Sequence, residues 1–298
     1  MMFKRGVITD EISQDFKTAA GLASKYRLDG VELRSVWEKQ CHELNSKDIR
    51  EIKKVLADAG LSVCGISSPF FKCHIGDDAE IGRHMEILKR CIQLAYHLET
   101  GIIRGFTFWK SGGFEENIGR IAEKFDMPLK ILDKERITLA LESDPSVFAT
   151  NADKLAQMIV RINSPYIKAL WDPGNDIYDP DGEIPYPDGY RTIKAHMVHM
   201  HLKDASRLPT GKIKGMPVGE GQVDYKGQFQ ALINDGYNGF IVLETHYRPH
   251  YEISDELLAF PKGSAFSHLG YEATEECMAG WNGIMSGLLD MRGQWTNS

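Results

Sequence analysis

Residues 167–175 read Ile-Lys-Ala-Leu-Trp-Asp-Pro-Gly-Asn. A short, nearly continuous apolar run meets a carboxylate, and a Pro-Gly pair then turns the chain. That is the form of a strand buried on both faces that ends at a loop. The same form recurs on either side. Thr138–Glu142 precedes it, with 30 residues from Glu142 to Asp172, and Met197–Lys203 follows, with 29 from Asp172 to His201. Gly239–Glu244 comes after a longer interval of 43 residues from His201 to Glu244, which takes in a Gly/Pro-containing loop from Ser206 to Tyr225.

Further out, Val7–Thr9, Gly30–Arg34, Leu61–Ser67 and Gly101–Phe108 read as four more strands, the third expected to stop at Pro69. Amphipathic stretches between them predict helices over Asp15–Tyr26, Lys47–Ala59, Ile81–Leu98 and Ala152–Ile162, with Leu269–Leu289 at the end. Phe114–Glu135 is also helical in pattern, with a break expected at Pro128. Eight strand-helix units without an internal linker predict one α/β domain over residues 1–298, a closed (β/α)8 barrel. An open dinucleotide-binding sheet is the alternative. It is weakened because Asp10-Glu11-Ile12, and no GxGxxG turn, follows the first strand. Gly219-Glu220-Gly221 lies in a loop and opens no strand-to-helix turn.

The 298 residues carry 42 acidic and 35 basic side chains, a formal charge of −7, and 42% hydrophobic residues. This composition supports a large buried core and argues against disorder. The acidic balance, with no Lys/Arg run longer than two, argues against nucleic-acid and membrane partners. Five cysteines, odd in number and without a CxxC pair, predict no disulfide framework and a reduced, cytoplasmic setting. The sequence leaves a homo-oligomer open.

In a parallel barrel the functional end is where the strands finish at their C-termini. Strands five, six, seven and eight finish on Glu142, Asp172, His201 and Glu244. Three carboxylates and an imidazole on one rim make a hard, oxygen-rich site for one divalent cation, Mn²⁺, Mg²⁺, Co²⁺ or Zn²⁺. Strand alternation puts His199 and Lys203 on the face of His201, and His246 on that of Glu244. Glu32 points inward at the end of strand two. His199, Lys203, His246 and Glu32 are therefore candidate substrate contacts.

The segments GVELR (30–34), AGLSVCGISSP (59–69), LALES (139–143), WDPGN (171–175), HMHLKD (199–204), PVGEGQVDY (217–225) and GFIVLET (239–245) occur in that order. Together they resemble the xylose isomerase-like TIM-barrel superfamily, the sugar phosphate isomerase/epimerase group related to endonuclease IV. The resemblance implies a metal-dependent sugar isomerase or epimerase acting on a sugar or sugar phosphate. Glu142, Asp172, His201 and Glu244 would be its ligands. In the ketose 3-epimerase branch the two glutamates exchange the substrate proton, and an arginine six residues after the histidine ligand holds a substrate oxygen. Arg207 stands at that position, and Asn175 stands where the branch has a histidine near the substrate. Phe148 replaces a second glutamate of that branch, so the resemblance does not single out 3-epimerisation.

The chemistry implied is proton abstraction next to a carbonyl, with Glu142 and Glu244 as catalytic carboxylates and an enediolate between the two proton transfers. Two other classes stay open. An endonuclease IV-like metal-dependent hydrolase is disfavoured by missing histidines and by the acidic charge. A non-catalytic carbohydrate or inositol-pathway binding protein that retains the metal is the third reading.

Overall fold

A computed structural model describes residues 3–179 and 181–295; the outermost residues of the expected 1–298 domain lie outside this description. Eight parallel strands form the barrel: β1 (Lys4–Ile8), β2 (Gly30–Leu33), β3 (Ser62–Phe70), β4 (Ile102–Gly105), β5 (Thr138–Glu142), β6 (Ile167–Trp171), β7 (Met197–Leu202) and β8 (Phe240–Leu243). They pair in chain order, and β1 closes the ring against β8. The expected (β/α)8 architecture is therefore present.

The outer layer includes α1 (Phe16–Lys25), α2 (Ser46–Ala59), α3 (Asp78–His97), α4 (Phe114–Lys124), α5 (Asp126–Glu135), α6 (Ala152–Ile162), α7 (Tyr225–Asn234) and α8 (Gly270–Trp295). Asp15, Asn45, Asp77, Asn151 and Asp224 cap five of these, each accepting from backbone N–H groups of the first turn. The main core lies between strands and helices and takes in Met200, Leu202, Ile241 and Leu243. The opposite faces of the same strands fill the barrel interior, where Ile8, Cys64 and Val242 form a small separate apolar cluster.

The structure corrects the sequence reading in three places. Pro69 does not end β3, which runs on to Phe70; the register against β4 shifts between Ile66 and Phe70, so the missing N–H falls in the irregular part of the ladder. The helix over 114–135 breaks at Phe125, ahead of Pro128. Pro128 then occupies the first turn of α5, where its missing N–H leaves no intrahelical bond unmade. The first strand starts at Lys4, and Thr9–Glu11 forms a 3-10 turn instead of extending it.

The loop after β7 holds two elements that the apolar pattern does not predict, the antiparallel pair Asp204–Arg207 with Ile213–Met216 and helix α7. Gly219 and Gly221 wrap round Asp204, whose carboxylate accepts from the N–H groups of Gly219 (2.9 Å), Gly221 (3.0 Å) and Val223 (3.3 Å). A Cβ on Gly221 would lie 2.0 Å from Asp204 Oδ1, so this GxG is a cradle for a protein carboxylate. All five cysteines are free and buried. Among the described residues no helix is long and apolar enough to cross a membrane.

Candidate functional site

The C-terminal ends of β5 to β8 bring the four strand-end residues together. Glu142 closes β5, Asp172 follows β6, His201 is the penultimate residue of β7, and Glu244 follows β8. One ligand atom from each lies within 4.8 Å of the others, and all four side chains are buried.

The WDPGN turn shows how local sequence sets one of these groups. Asp172 is the N-cap of the short helix Pro173–Tyr178, and its Oδ1 accepts from Gly174 N (2.9 Å) and Asn175 N (3.2 Å). Its Oδ2 is thereby turned toward the rim. Gly174 is required at the turn because a Cβ there would sit 2.3 Å from the Lys203 carbonyl oxygen. Asn175 ties the turn to β5, donating to Ser143 O at 2.8 Å and to Glu142 Oε1 at 3.4 Å.

Three cations interleave with these acids. Arg34 Nη1 donates to Glu244 Oε1 (2.8 Å), while its other nitrogens hold Glu11 (2.6 Å) and Asp10 (3.2 Å). Arg104 Nη1 donates to Glu142 Oε2 (3.1 Å) and lies 3.7 Å from Glu244. Lys203 Nζ donates to Glu244 Oε2 (2.7 Å) and stands 2.6 Å from Asp172 Oδ2. The second contact is an ion pair without hydrogen-bond alignment, so Asp172 Oδ2 has no hydrogen-bond donor among the described residues.

His201 links the rim to the barrel floor. Its Nδ1 lies 3.2 Å from Glu142 and 3.4 Å from Glu244, while Nε2 lies 3.3 Å from Glu32 Oε1. Glu32 is buried, accepts from the Ser67 hydroxyl, and is 2.6 Å from His199 Nε2. A proton on His201 Nε2, donated to Glu32, leaves the Nδ1 lone pair facing the rim carboxylates. This is the carboxylate–histidine pairing that orients metal-binding imidazoles.

The charge balance tests whether a divalent cation fits. Six buried carboxylates gather here, from Asp10, Glu11, Glu32, Glu142, Asp172 and Glu244, against four buried cations, Arg34, Arg104, Lys203 and Arg248. With neutral imidazoles, two negative charges are uncompensated, which buried sites do not sustain without a partner. The titration shifts reflect the same deficit. Burial, opposed by Lys203 and reinforced by Glu244 and Glu142, pushes Asp172 up to about 7. Burial disfavours the His201 imidazolium, yet Glu32, Glu244 and Glu142 together hold its pKa well above the ordinary range. The cluster thus draws positive charge, and its oxygen and imidazole donors suit one divalent ion.

Two neighbouring groupings differ. In the first, Glu32 is already engaged by both imidazoles and the Ser67 hydroxyl; in the second, Glu11, beside Glu244 and His246, is paired with Arg34 and Arg248.

A cavity of about 580 Å³ opens in front of the cluster and is lined by Glu142, Glu244, Lys203, Arg34, Arg104 and His246, among others. His246 Nε2 is 3.6 Å from Glu244 and 3.5 Å from Glu11, and burial holds its imidazole well below the ordinary pKa. Asn175 lines an adjoining chamber with His246. Glu32 and His199 lie beneath the floor, outside the lining of the cavity. Arg207 also lies outside it. It is exposed, and its guanidinium donates to the carbonyls of Ile177 (2.8 Å) and Asp179 (3.2 Å), because the β-hairpin after β7 carries it toward the helix after β6. Arg248, just beyond Glu244, is buried and braces the carbonyls of Phe266 and His268 at 2.9 Å each.

Arg34, Arg104, Asp10 and Glu11 were absent from the expected site. Asp10 and Glu11 follow β1, and Arg104 is the second-last residue of β4, so the strand-end rule reaches them when applied to all eight strands. Arg34 stands directly after β2, at the close of the GVELR motif.

Residues 21–266 match the family model described as xylose isomerase-like TIM barrel. The chain belongs to that family. Among curated proteins it is similar to the L-ribulose-5-phosphate 3-epimerase UlaE of Escherichia coli strain K12, 25% identical over 186 residues, which cover 61% of this chain and 63% of the relative. The chain thus matches less than two thirds of the length of such relatives. Among solved structures it resembles a xylose isomerase domain protein from Planctomyces limnophilus (TM-score 0.72, 15% identity, 97% of this chain and 99% of the other). It also resembles D-psicose 3-epimerase with D-tagatose from Clostridium cellulolyticum H10 (TM-score 0.71, 15% identity, 95% and 99%). These structures share the fold.

Proposed function

We propose that this protein is a divalent-metal-dependent sugar isomerase or epimerase that moves a proton through an enediolate. The observation that carries the reading is the buried group of Glu142, Asp172, His201 and Glu244, set in a cluster with two uncompensated negative charges and opening onto a cavity. Those four residues would hold the cation, which when bound polarises the substrate carbonyl and its neighbouring hydroxyl and stabilises the enediolate. The naming of relatives as sugar epimerases supports the same substrate class.

The chain's own groups then divide the work. Glu142 and Glu244 line one cavity from β5 and β8, so a sugar between them presents a C–H to either carboxylate. Arg104 lies between the two, donating to Glu142 and standing 3.7 Å from Glu244. A proton taken by one glutamate and returned to the adjacent carbon isomerises the sugar; return from the opposite face epimerises it. Lys203 and Arg34 fix the Glu244 carboxylate through both oxygens. His246 remains neutral beside Glu244 and can hold a substrate hydroxyl.

The reading is tested by removing metal with chelator, restoring Mn²⁺, Mg²⁺, Co²⁺ or Zn²⁺ in turn, and following deuterium wash-in on a panel of ketoses. Metal-dependent exchange of one C–H is expected. Absence of exchange from every sugar with a fully loaded site would overturn it.

A further inference from the structure

The cavity has two unlike halves. Its inner end is ionic, with Glu142, Glu244, Lys203, Arg34 and Arg104. The rest of its lining takes in Pro69 and Ile87, and Leu257, Leu258 and Phe260 of the segment after β8. Phe260 meets the edge of Trp109, with 5.4 Å between ring centres and 71° between planes, and this contact holds the segment across the mouth. The volume of about 580 Å³ exceeds what one chelated monosaccharide fills. It lies within the roughly 300–1,000 Å³ of sites that enclose drug-sized ligands.

The charges of the outer half are equally informative. A phosphate group is usually met by a free guanidinium, an ammonium or a helix N-terminus. Here Arg34 and Arg104 are already bound to carboxylates. Lys72 is paired with Asp144 at 2.8 Å and lies over the Phe106 ring at 4.6 Å. His84 Nδ1 accepts from Phe71 N at 2.9 Å, and burial pushes its pKa down to about 4, so the ring is neutral. Glu256 adds negative charge at the mouth, leaving Lys262, exposed on the rim, as the lysine there without an ion pair among the described residues.

We infer that the substrate is an unphosphorylated glycoside: an α-hydroxyketo sugar at the ionic end, linked to a second ring whose apolar face lies against Ile87, Leu257, Leu258 and Phe260. The inference rests on the enediolate reading of the same cavity. The reaction balances without a co-reactant, since the proton removed beside the carbonyl returns to carbon and the glycosidic bond stays intact.

The test offers Mn²⁺-loaded protein a p-nitrophenyl keto-glucoside, the matching free keto sugar and a phosphorylated ketose, following C–H exchange in deuterated water. Calorimetry with p-nitrophenyl glucoside, glucose and glucose 6-phosphate, on the wild type and Phe260→Ala, supplies a readout independent of turnover. The aryl compounds should be favoured, and Phe260→Ala should shrink that preference about tenfold, the effect of losing one aromatic wall. A preference for the phosphorylated compounds, or no discrimination, would overturn the inference. Phe260-dependent binding of the aryl glucoside with no exchange from any sugar would uphold the ring site and remove the isomerase reading. Exchange without aryl preference would do the reverse.

Discussion

Glu32 and His201 meet beneath the rim, with His201 Nε2 3.3 Å from Glu32 Oε1 while Nδ1 faces Glu142 and Glu244. The carboxylate sets which nitrogen of the imidazole is available for a cation. Glu32→Gln should therefore weaken Mn²⁺ or Co²⁺ binding about 10–100-fold, the usual effect of losing such a partner. Competition with a chelating dye measures the affinity, and ¹⁵N resonances of His201 in the Zn²⁺-loaded protein report which nitrogen carries the proton. Unchanged affinity would make Glu32 merely structural.

Glu142→Gln and Glu244→Gln keep side-chain shape and one carbonyl oxygen but lose the base. Each should abolish exchange of the substrate C–H with deuterium while the circular dichroism spectrum persists. Near-normal exchange in both would assign proton transfer to another group.

Lys203 lies 2.6 Å from Asp172 and 2.7 Å from Glu244, all three buried. Lys203→Met leaves the buried Asp172 without its cation and Glu244 with Arg34 and Arg104 alone, and breaking a buried pair typically costs about 3–5 kcal/mol. The metal-free variant should melt well below the metal-free wild type, and Mn²⁺ should raise its Tm by more than it raises that of the wild type. Equal gains in calorimetric scans would show that the ammonium and the metal do not share the same charge deficit.

Arg207 holds the carbonyls of Ile177 and Asp179 and does not line the cavity. Arg207→Ala should change kcat/KM by less than about tenfold, because both hydrogen bonds it removes lie outside the cavity. A hundredfold loss at unchanged stability would return it to the substrate.

Gly174→Ala forces a Cβ to within 2.3 Å of the Lys203 carbonyl. The clash should cost at least the roughly 1–3 kcal/mol of an overpacked core. It should also lower metal affinity, since Asp172 is capped onto the same turn. Urea unfolding and metal titration of one preparation measure both effects.

Much of this protein was legible residue by residue. The apolar runs around 138–142, 167–171, 197–202 and 240–243 give parallel strands because strands buried on both faces must be apolar, and their spacing leaves room for one helix each. The ionisable residues at their ends converge because a closed barrel brings every strand terminus to one rim. Glu142, Asp172, His201 and Glu244 were placed by that rule alone, as were the inward faces of His199 and Lys203.

The tertiary structure decided which groups pair with which. Arg34 and Glu244 are 210 residues apart, and Glu32 and His201 are 169 apart; no local pattern encodes those contacts. The loop after β7 likewise decides which carbonyls Arg207 meets, since a residue's offset from a histidine does not determine where a hairpin carries it. Local sequence specifies backbone form and the face a side chain takes, because these depend on dihedral preferences and periodicity. Charge compensation depends on distances that exist only once the ring has closed.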